Sequence, residues 1–271
     1  MRVVYNQIAA TLLLLSFLGS VHAQTDSVNN KLFYRSQIKF ALTGCLFDNL
    51  QLTWYGEKLL RSRPLPSGEV SISYYTDIKN GYGLNVGFGL GLAPYNFHYL
   101  FKIPENSIFF TPNIEVYEAD IDHYEYIQEY YTFPLSVQKT FVSKKRNKLR
   151  FIEAGIKLNY KVAYPSSIKT GVVYKINDTT EARLFQMMLR STSHRVLVSG
   201  FFKYGWQRIT KRQNTFQYGF VLHYSPSKIG MGDYEFSNLT YPSYGTIFQN
   251  INYIGFEVVY GLATSRRIKD W

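Results

Sequence analysis

Residues 150–162 read RFIEAGIKLNYKV, and the alternation in that stretch decides the fold class. Ile152, Ala154, Ile156, Leu158, Tyr160 and Val162 fall on one face, and Glu153, Gly155, Lys157, Asn159 and Lys161 on the other. A strand sends successive side chains to opposite faces, so this is a strand with one apolar and one polar side. A helix would mix the two classes around its circumference. The same alternation returns at 82–92, 214–225 and 251–263. In 82–92 the second face carries Gly83, Gly87, Gly89 and Gly91, a row that a helix would not tolerate. Segments 36–46, 68–76, 130–141 and 195–207 repeat the pattern more weakly. Several of these segments reach the ~9–11 residues that an oblique bilayer crossing needs.

The connections give an independent argument. Residues 77–81, 142–149 and 208–213 are short links, whereas 47–67, 93–129, 163–194 and 226–250 are long, and the two kinds alternate along the chain. Short periplasmic turns facing long extracellular loops are the layout of an outer-membrane barrel. The expected fold is all-β, an eight-stranded antiparallel transmembrane β-barrel over residues 36–263 with a periplasmic N-terminus. The aromatic residues nearest the short turns, Tyr74, Tyr82, Phe141, Phe151, Trp206 and Phe216, are expected to form a membrane-interface girdle.

Composition agrees with that class. Tyr (24) and Phe (20) are abundant while only 18% of residues are charged. Residues 1–23 read as a signal peptide, with Arg2 in a basic start, an apolar core from Ile8 to Leu18, and Ala23 before the cut. That core falls short of the ~20 residues of a membrane helix. Residues 24–35 are then a periplasmic segment and 264–271 a C-terminal tail. Cys45, being alone, forms no intrachain disulfide and reads as a small apolar residue. The formal charge of +11 in an exported chain points to anionic lipid and lipopolysaccharide as partners, with no nucleic acid. The outer-membrane assembly machinery is implied by the fold.

The inward faces divide into a small wall and a large wall. Ser71, Ser73, Gly83, Gly87, Gly89, Gly91, Thr132 and Ser136 make the first, and Phe201, His223 and Tyr253 join the charged residues of the second. Eight strands leave an interior that side chains can fill. Glu153, Lys157, Lys161, Lys203 and Glu257 are therefore expected to pair inside a packed lumen, because isolated buried charges are too costly. No catalytic residue, cofactor site or metal site is assigned. His223 and Ser225 share a face near the rim, but a His beside a Ser is by itself incidental. The loop cluster Asp120, Asp122, His123 and Glu125 lacks metal-ligand spacing. Asp26-Ser27-Val28 and Asp178-Thr179-Thr180 are similar to short bacterial O-glycosylation acceptors. Pro134 cannot donate a ladder bond and suggests a local bulge.

The stretch from Tyr131 to Phe141, its lysine-rich turn, and Phe151 to Tyr160 resemble the central hairpin of small bacterial outer-membrane barrels. Their family is the OmpA/OmpX-like porin group, which includes PorT-like proteins. The resemblance implies a Gram-negative outer-membrane location and a structural or surface-interaction role. The long loops would contact a secretion system or an extracellular partner. A PorT-like secretion or assembly component is the alternative, and a lipid-modifying enzyme a third reading. Family members commonly end with an aromatic on the last strand, whereas Trp271 here follows a polar tail.

Overall fold

The computed structural model describes residues 36–47, 50–56, 65–79, 81–94, 116–117, 127–142, 149–162, 167–177, 180–210, 214–237 and 243–264. The expected signal peptide, the segment 24–35, the tail beyond Thr264, the acidic cluster, the lysine-rich turn and both acceptor-like tripeptides, save Thr180, lie outside them.

The strands in chain order are β1 (Ser36–Phe47), β2 (Leu50–Leu52), β3 (Leu65–Lys79), β4 (Tyr82–Pro94), β5 (Val116–Tyr117), β6 (Ile127–Val142) and β7 (Leu149–Lys161). They continue with β8 (Ser167–Asn177), β9 (Thr180–Ser191), β10 (Val196–Ile209), β11 (Thr215–Tyr224), β12 (Lys228–Phe236), β13 (Ser243–Asn250) and β14 (Tyr253–Ala263). Eight of them close an antiparallel barrel in the order β1-β14-β11-β10-β7-β6-β4-β3. These are the eight segments read from the alternation, and closure leaves the barrel no free edge.

Alternation sets inside from outside on every barrel strand. On β7, Ile156, Leu158 and Tyr160 are exposed while Glu153, Lys157 and Asn159 are buried. The exterior continues through Phe40, Leu42, Val70, Ile72, Val86, Phe88, Phe133, Leu135, Val198, Phe220, Leu222 and Phe256, all exposed. A soluble protein would not leave such a belt in water; hydrocarbon is the solvent it suits.

The tight turn between β3 and β4 holds Gly81 at φ 74°, a conformation that glycine adopts without strain. The register shift in that hairpin falls between Asp77 and Lys79. Pro134 produces no bulge. The β4–β6 pairing drops out between Val86↔Leu135 and Gly89↔Thr132 and resumes in the same register. The missing donor interrupts the ladder without displacing the strand.

The long connections fold further than the sequence suggests. Each carries strand, and together they form a second, six-stranded sheet in the order β2-β13-β12-β9-β8-β5. One face of it buries Phe185, Met187, Leu189, Tyr234, Phe236 and Ile247. These pack with inward residues of the barrel rim, Cys45, Ala93, Tyr130, Leu197, Val221 and Tyr253, in one apolar cluster. An apolar layer therefore closes the long-connection end of the barrel. Burying Tyr234 pushes its phenol above its ordinary range, while its hydroxyl donates to the Thr53 carbonyl at 3.1 Å.

Candidate functional site

The lumen is filled by cross-linked polar groups in tiers. Toward the short-turn end, Thr215 Oγ1 donates to Gln37 Oε1 at 2.8 Å and Gln217 Nε2 to Gln207 Oε1 at 2.8 Å. Lys39 Nζ donates to Gln138 Oε1 at 2.7 Å and lies 4.1 Å from the centroid of the Tyr75 ring. One tier on, Lys203 Nζ bonds both carboxylate oxygens of Glu257 at 2.9 Å and stands 3.8 Å from Glu153 Oε1. Ser136 Oγ and Asn85 Nδ2 donate to the same Glu153 oxygen, and Thr43 Oγ1 donates to Glu257 at 3.2 Å. In the third tier Lys157 Nζ pairs with Glu69 and bonds Tyr253 Oη at 3.0 Å, while Tyr253 donates to Glu69 at 3.1 Å.

The arrangement is charge-balanced. Lys39, Lys157 and Lys203 face Glu69, Glu153 and Glu257, all buried. Each carboxylate has more than one donor, which is what keeps buried charge tolerable. Parity on β1 and β3 already placed Lys39 and Glu69 inward, between Ile38 and Phe40 and two residues before Ser71. The sequence reading missed both, since each sits near the start of a weak segment.

Lys161 departs from the expectation of an ion pair. Its Nζ donates to Ser191 Oγ at 2.7 Å, to the Thr192 carbonyl at 2.6 Å and to the Ile229 carbonyl at 3.3 Å. It ties the barrel rim to the second sheet, and among the described residues no carboxylate reaches it.

Space was made for large residues by glycine, and partly on the small wall itself. A Cβ at Gly83 would run into the Tyr75 ring, and one at Gly91 into the Tyr130 ring. Between Lys39, Glu69, Asn85, Pro134, Glu153 and Lys203 a cavity of about 20 Å³ remains, room for about one water. Asn85 Oδ1, which lines this cavity, and Tyr130 Oη, Thr132 Oγ1 and Asn159 Oδ1 are buried with no hydrogen-bond partner from the protein.

His223 is not joined to Ser225. Its Nε2 meets Ser199 Oγ at 2.8 Å, its Nδ1 meets the Ile251 carbonyl, and its ring stacks on Tyr253 at 4.5 Å. With Nδ1–H donating to the carbonyl, Nε2 accepts from the serine, and Asn159 Nδ2 donates to that serine at 2.7 Å. The geometry is that of a base beside a hydroxyl. Yet Ser199 and His223 are 2% and 4% exposed, under the apolar layer.

Of the expected girdle, Tyr74 and Phe216 are exposed on the exterior and Trp206 stacks on Tyr218 at 5.6 Å. Tyr82 lies under the Lys139 ammonium, 3.9 Å from its ring centroid, and Phe141 is half-buried. Phe151 is the exception. It is 2% exposed and shares the inward face of Glu153, packed beside Gly205. Period two required this, since Ile152 and Ala154 face outward; closeness to the turn had outweighed parity.

No family description matches the chain, and no curated protein matches it in sequence. Among solved structures it is similar to the outer membrane protein OprG from Pseudomonas aeruginosa, at 8% identity and TM-score 0.44 over 84% of this chain and 96% of that one. It is also similar to the N-terminal β-barrel domain of Pseudomonas aeruginosa OprF, at 9% identity and TM-score 0.33 over 84% and 98% of the two chains. Ail, the attachment invasion locus protein of Yersinia pestis, gives 11% identity and TM-score 0.27 over 83% and 97%.

Proposed function

We propose that the protein is an exported, integral outer-membrane barrel with a sealed lumen, whose role is surface interaction through the sheet at its long-connection end. One observation carries the reading. The belt of exposed aromatic and aliphatic side chains surrounds an interior in which Lys39, Lys157 and Lys203 face Glu69, Glu153 and Glu257 around a void of about 20 Å³. A conducting path needs a continuous aqueous file, and both the ion pairs and the apolar layer above them stand in its way. Among the described residues, the second sheet stands clear of both the belt and the lumen, with one of its faces packed on the barrel rim.

The expected result is fractionation with outer membranes, heat-modifiable migration in detergent gels, and no stepwise conductance in planar bilayers. A cysteine placed at Asp233, on the exposed face of β12, should label on intact cells with an impermeant reagent. Recovery from the soluble periplasm would remove the membrane reading, and steady ion-selective openings would remove the sealed lumen. Labelling only after outer-membrane lysis would invert the orientation.

A further inference from the structure

The outer face of the second sheet carries side chains that neither the membrane belt nor the lumen uses. Tyr55, bridged to Tyr244 beyond β2, stacks on it with ring centroids 5.2 Å apart and planes 26° from parallel. Both rings are exposed, at 61% and 48%. Tyr244 of β13 stands opposite Glu235 of β12, and Glu235 opposite Gln186 of β9. Gln186 Nε2 donates to Glu235 Oε2 at 3.2 Å, and Arg183 Nη1 donates to Gln186 Oε1 at 2.7 Å. The row is thus two phenols stacked on each other, followed by a carboxylate, an amide and a guanidinium linked by hydrogen bonds. On the opposite face Phe185 and Phe236 pack at 4.7 Å and fix the strands that carry it.

The chemistry of this row selects its ligand. An aromatic face left in water attracts the polarised C–H groups on one side of a sugar ring. Planar carboxylate, amide and guanidinium edges match the paired hydroxyls on a sugar's rim, and their mutual bonds hold them ready. Neighbouring strands lie ~4.8 Å apart, close to the about 5 Å repeat of an extended sugar chain, so successive rings would meet successive strands. Among the described side chains of this face, Asp233 and Glu235 stand against Arg183, Arg190 and Lys228, and Lys228 is committed to the Phe248 ring at 3.2 Å, so the face carries little net charge for a polyanion to use. An extended peptide would instead seek a free sheet edge.

We propose that this face binds a neutral, extended oligosaccharide. The outer face of the stacked Tyr55–Tyr244 pair takes one sugar ring, and Glu235, Gln186 and Arg183 take the hydroxyls of the rings that follow. The ligand is a soluble glycan from outside the cell, a choice of source that rests on the orientation proposed above. The test uses the full-length protein in detergent micelles, titrated with cellotetraose, chitotetraose and maltotetraose by calorimetry and saturation-transfer NMR. At least one should bind saturably, and Tyr244→Ala should weaken it about tenfold or more. Glu235→Gln should weaken it as well, and Leu222→Ala on the membrane belt should leave it unchanged. Tyr55→Ala, at an isolated bridge, gives the same reading should Tyr244→Ala lose heat-modifiable migration. No saturable binding of any of the three, or wild-type affinity in both tyrosine variants, overturns the site. Binding confined to purified lipopolysaccharide overturns the soluble source. None of these results alters fractionation or conductance, so the two readings fail separately.

Discussion

Lys203→Met removes the charge at the centre of the lumen while keeping an unbranched side chain one atom shorter. In the native barrel that ammonium holds Glu257 through two 2.9 Å bonds and stands 3.8 Å from Glu153. The variant leaves both carboxylates buried, at 2% and 6% exposure, without their shared cation. Lys39, the nearest remaining candidate, donates to Gln138 and to neither acid in the native packing. Breaking a buried pair from one side costs ~3–5 kcal/mol, enough to shift the folding equilibrium by more than about a hundredfold. Glu257→Gln should cost less, ~1–3 kcal/mol, because Lys203 keeps Glu153 and the amide still accepts a hydrogen bond. The double variant should fall short of the sum of the two, since both remove the same pair. Urea unfolding in lipid vesicles, followed by tryptophan fluorescence, measures all three. A Lys203→Met midpoint within ~1 kcal/mol of the wild type, or strictly additive effects, would mean that these charges are solvated and the lumen is wet.

Three further outcomes are expected. Leu158→Arg, on the exposed face of β7, should cost ~2–4 kcal/mol in vesicle unfolding, and a penalty near zero would place that face away from hydrocarbon. Gly83→Ala should destabilise by ~1–3 kcal/mol because the new methyl overlaps the Tyr75 ring. Gly44→Ala, with open space at its Cβ, should stay within ~0.5 kcal/mol; similar losses at both glycines would count against the inward tyrosine. Phe185→Ala should cost ~3–5 kcal/mol and expose the second sheet to protease, yet leave bilayer conductance absent, because the ion pairs below it remain. Conductance in that variant would make the apolar layer the only seal.

The barrel was legible because a period of two survives small errors. Each expected strand overlaps an observed one, and the face assignments hold residue by residue on β11 and β14 and on β7 at every position but Phe151. The second sheet was not legible, and β9 shows why. In TEARLFQMMLRS, Leu184 and Phe185 are both buried, so the alternation slips at the point where β8 shifts register between Val172 and Val173. In β12 the glycines Gly230 and Gly232 occupy positions where a strand signal needs bulk. Local pattern cannot reveal strands whose apolar residues are set by a rim assembled from distant segments. The lumen lay between these cases. Parity named most of the inward residues and could have named Lys39 and Glu69, which the reading passed over, but nothing in its own strand could show that Lys161 serves the second sheet.

Most lumen contacts join strands that are not neighbours. Lys39 of β1 reaches Gln138 of β6 across β3 and β4, and Lys157 of β7 reaches Glu69 of β3 across β6 and β4. Lys203 of β10 reaches Glu257 of β14 past β11, Asn85 of β4 reaches Glu153 of β7 past β6, and Thr215 of β11 reaches Gln37 of β1 past β14. Ladder bonds between adjacent strands can form in an open sheet, but these contacts need the curvature that closure brings. A slip of one residue on β7 would turn Lys157 toward lipid and Leu158 toward Glu69, so the same contacts also select the register. The interior charges therefore act on folding: they distinguish the closed, correctly paired barrel from sheets that satisfy the backbone equally well. With the charges committed to that task and the mouth covered by apolar residues, the exposed face of the second sheet is, among the described residues, polar surface that neither task uses.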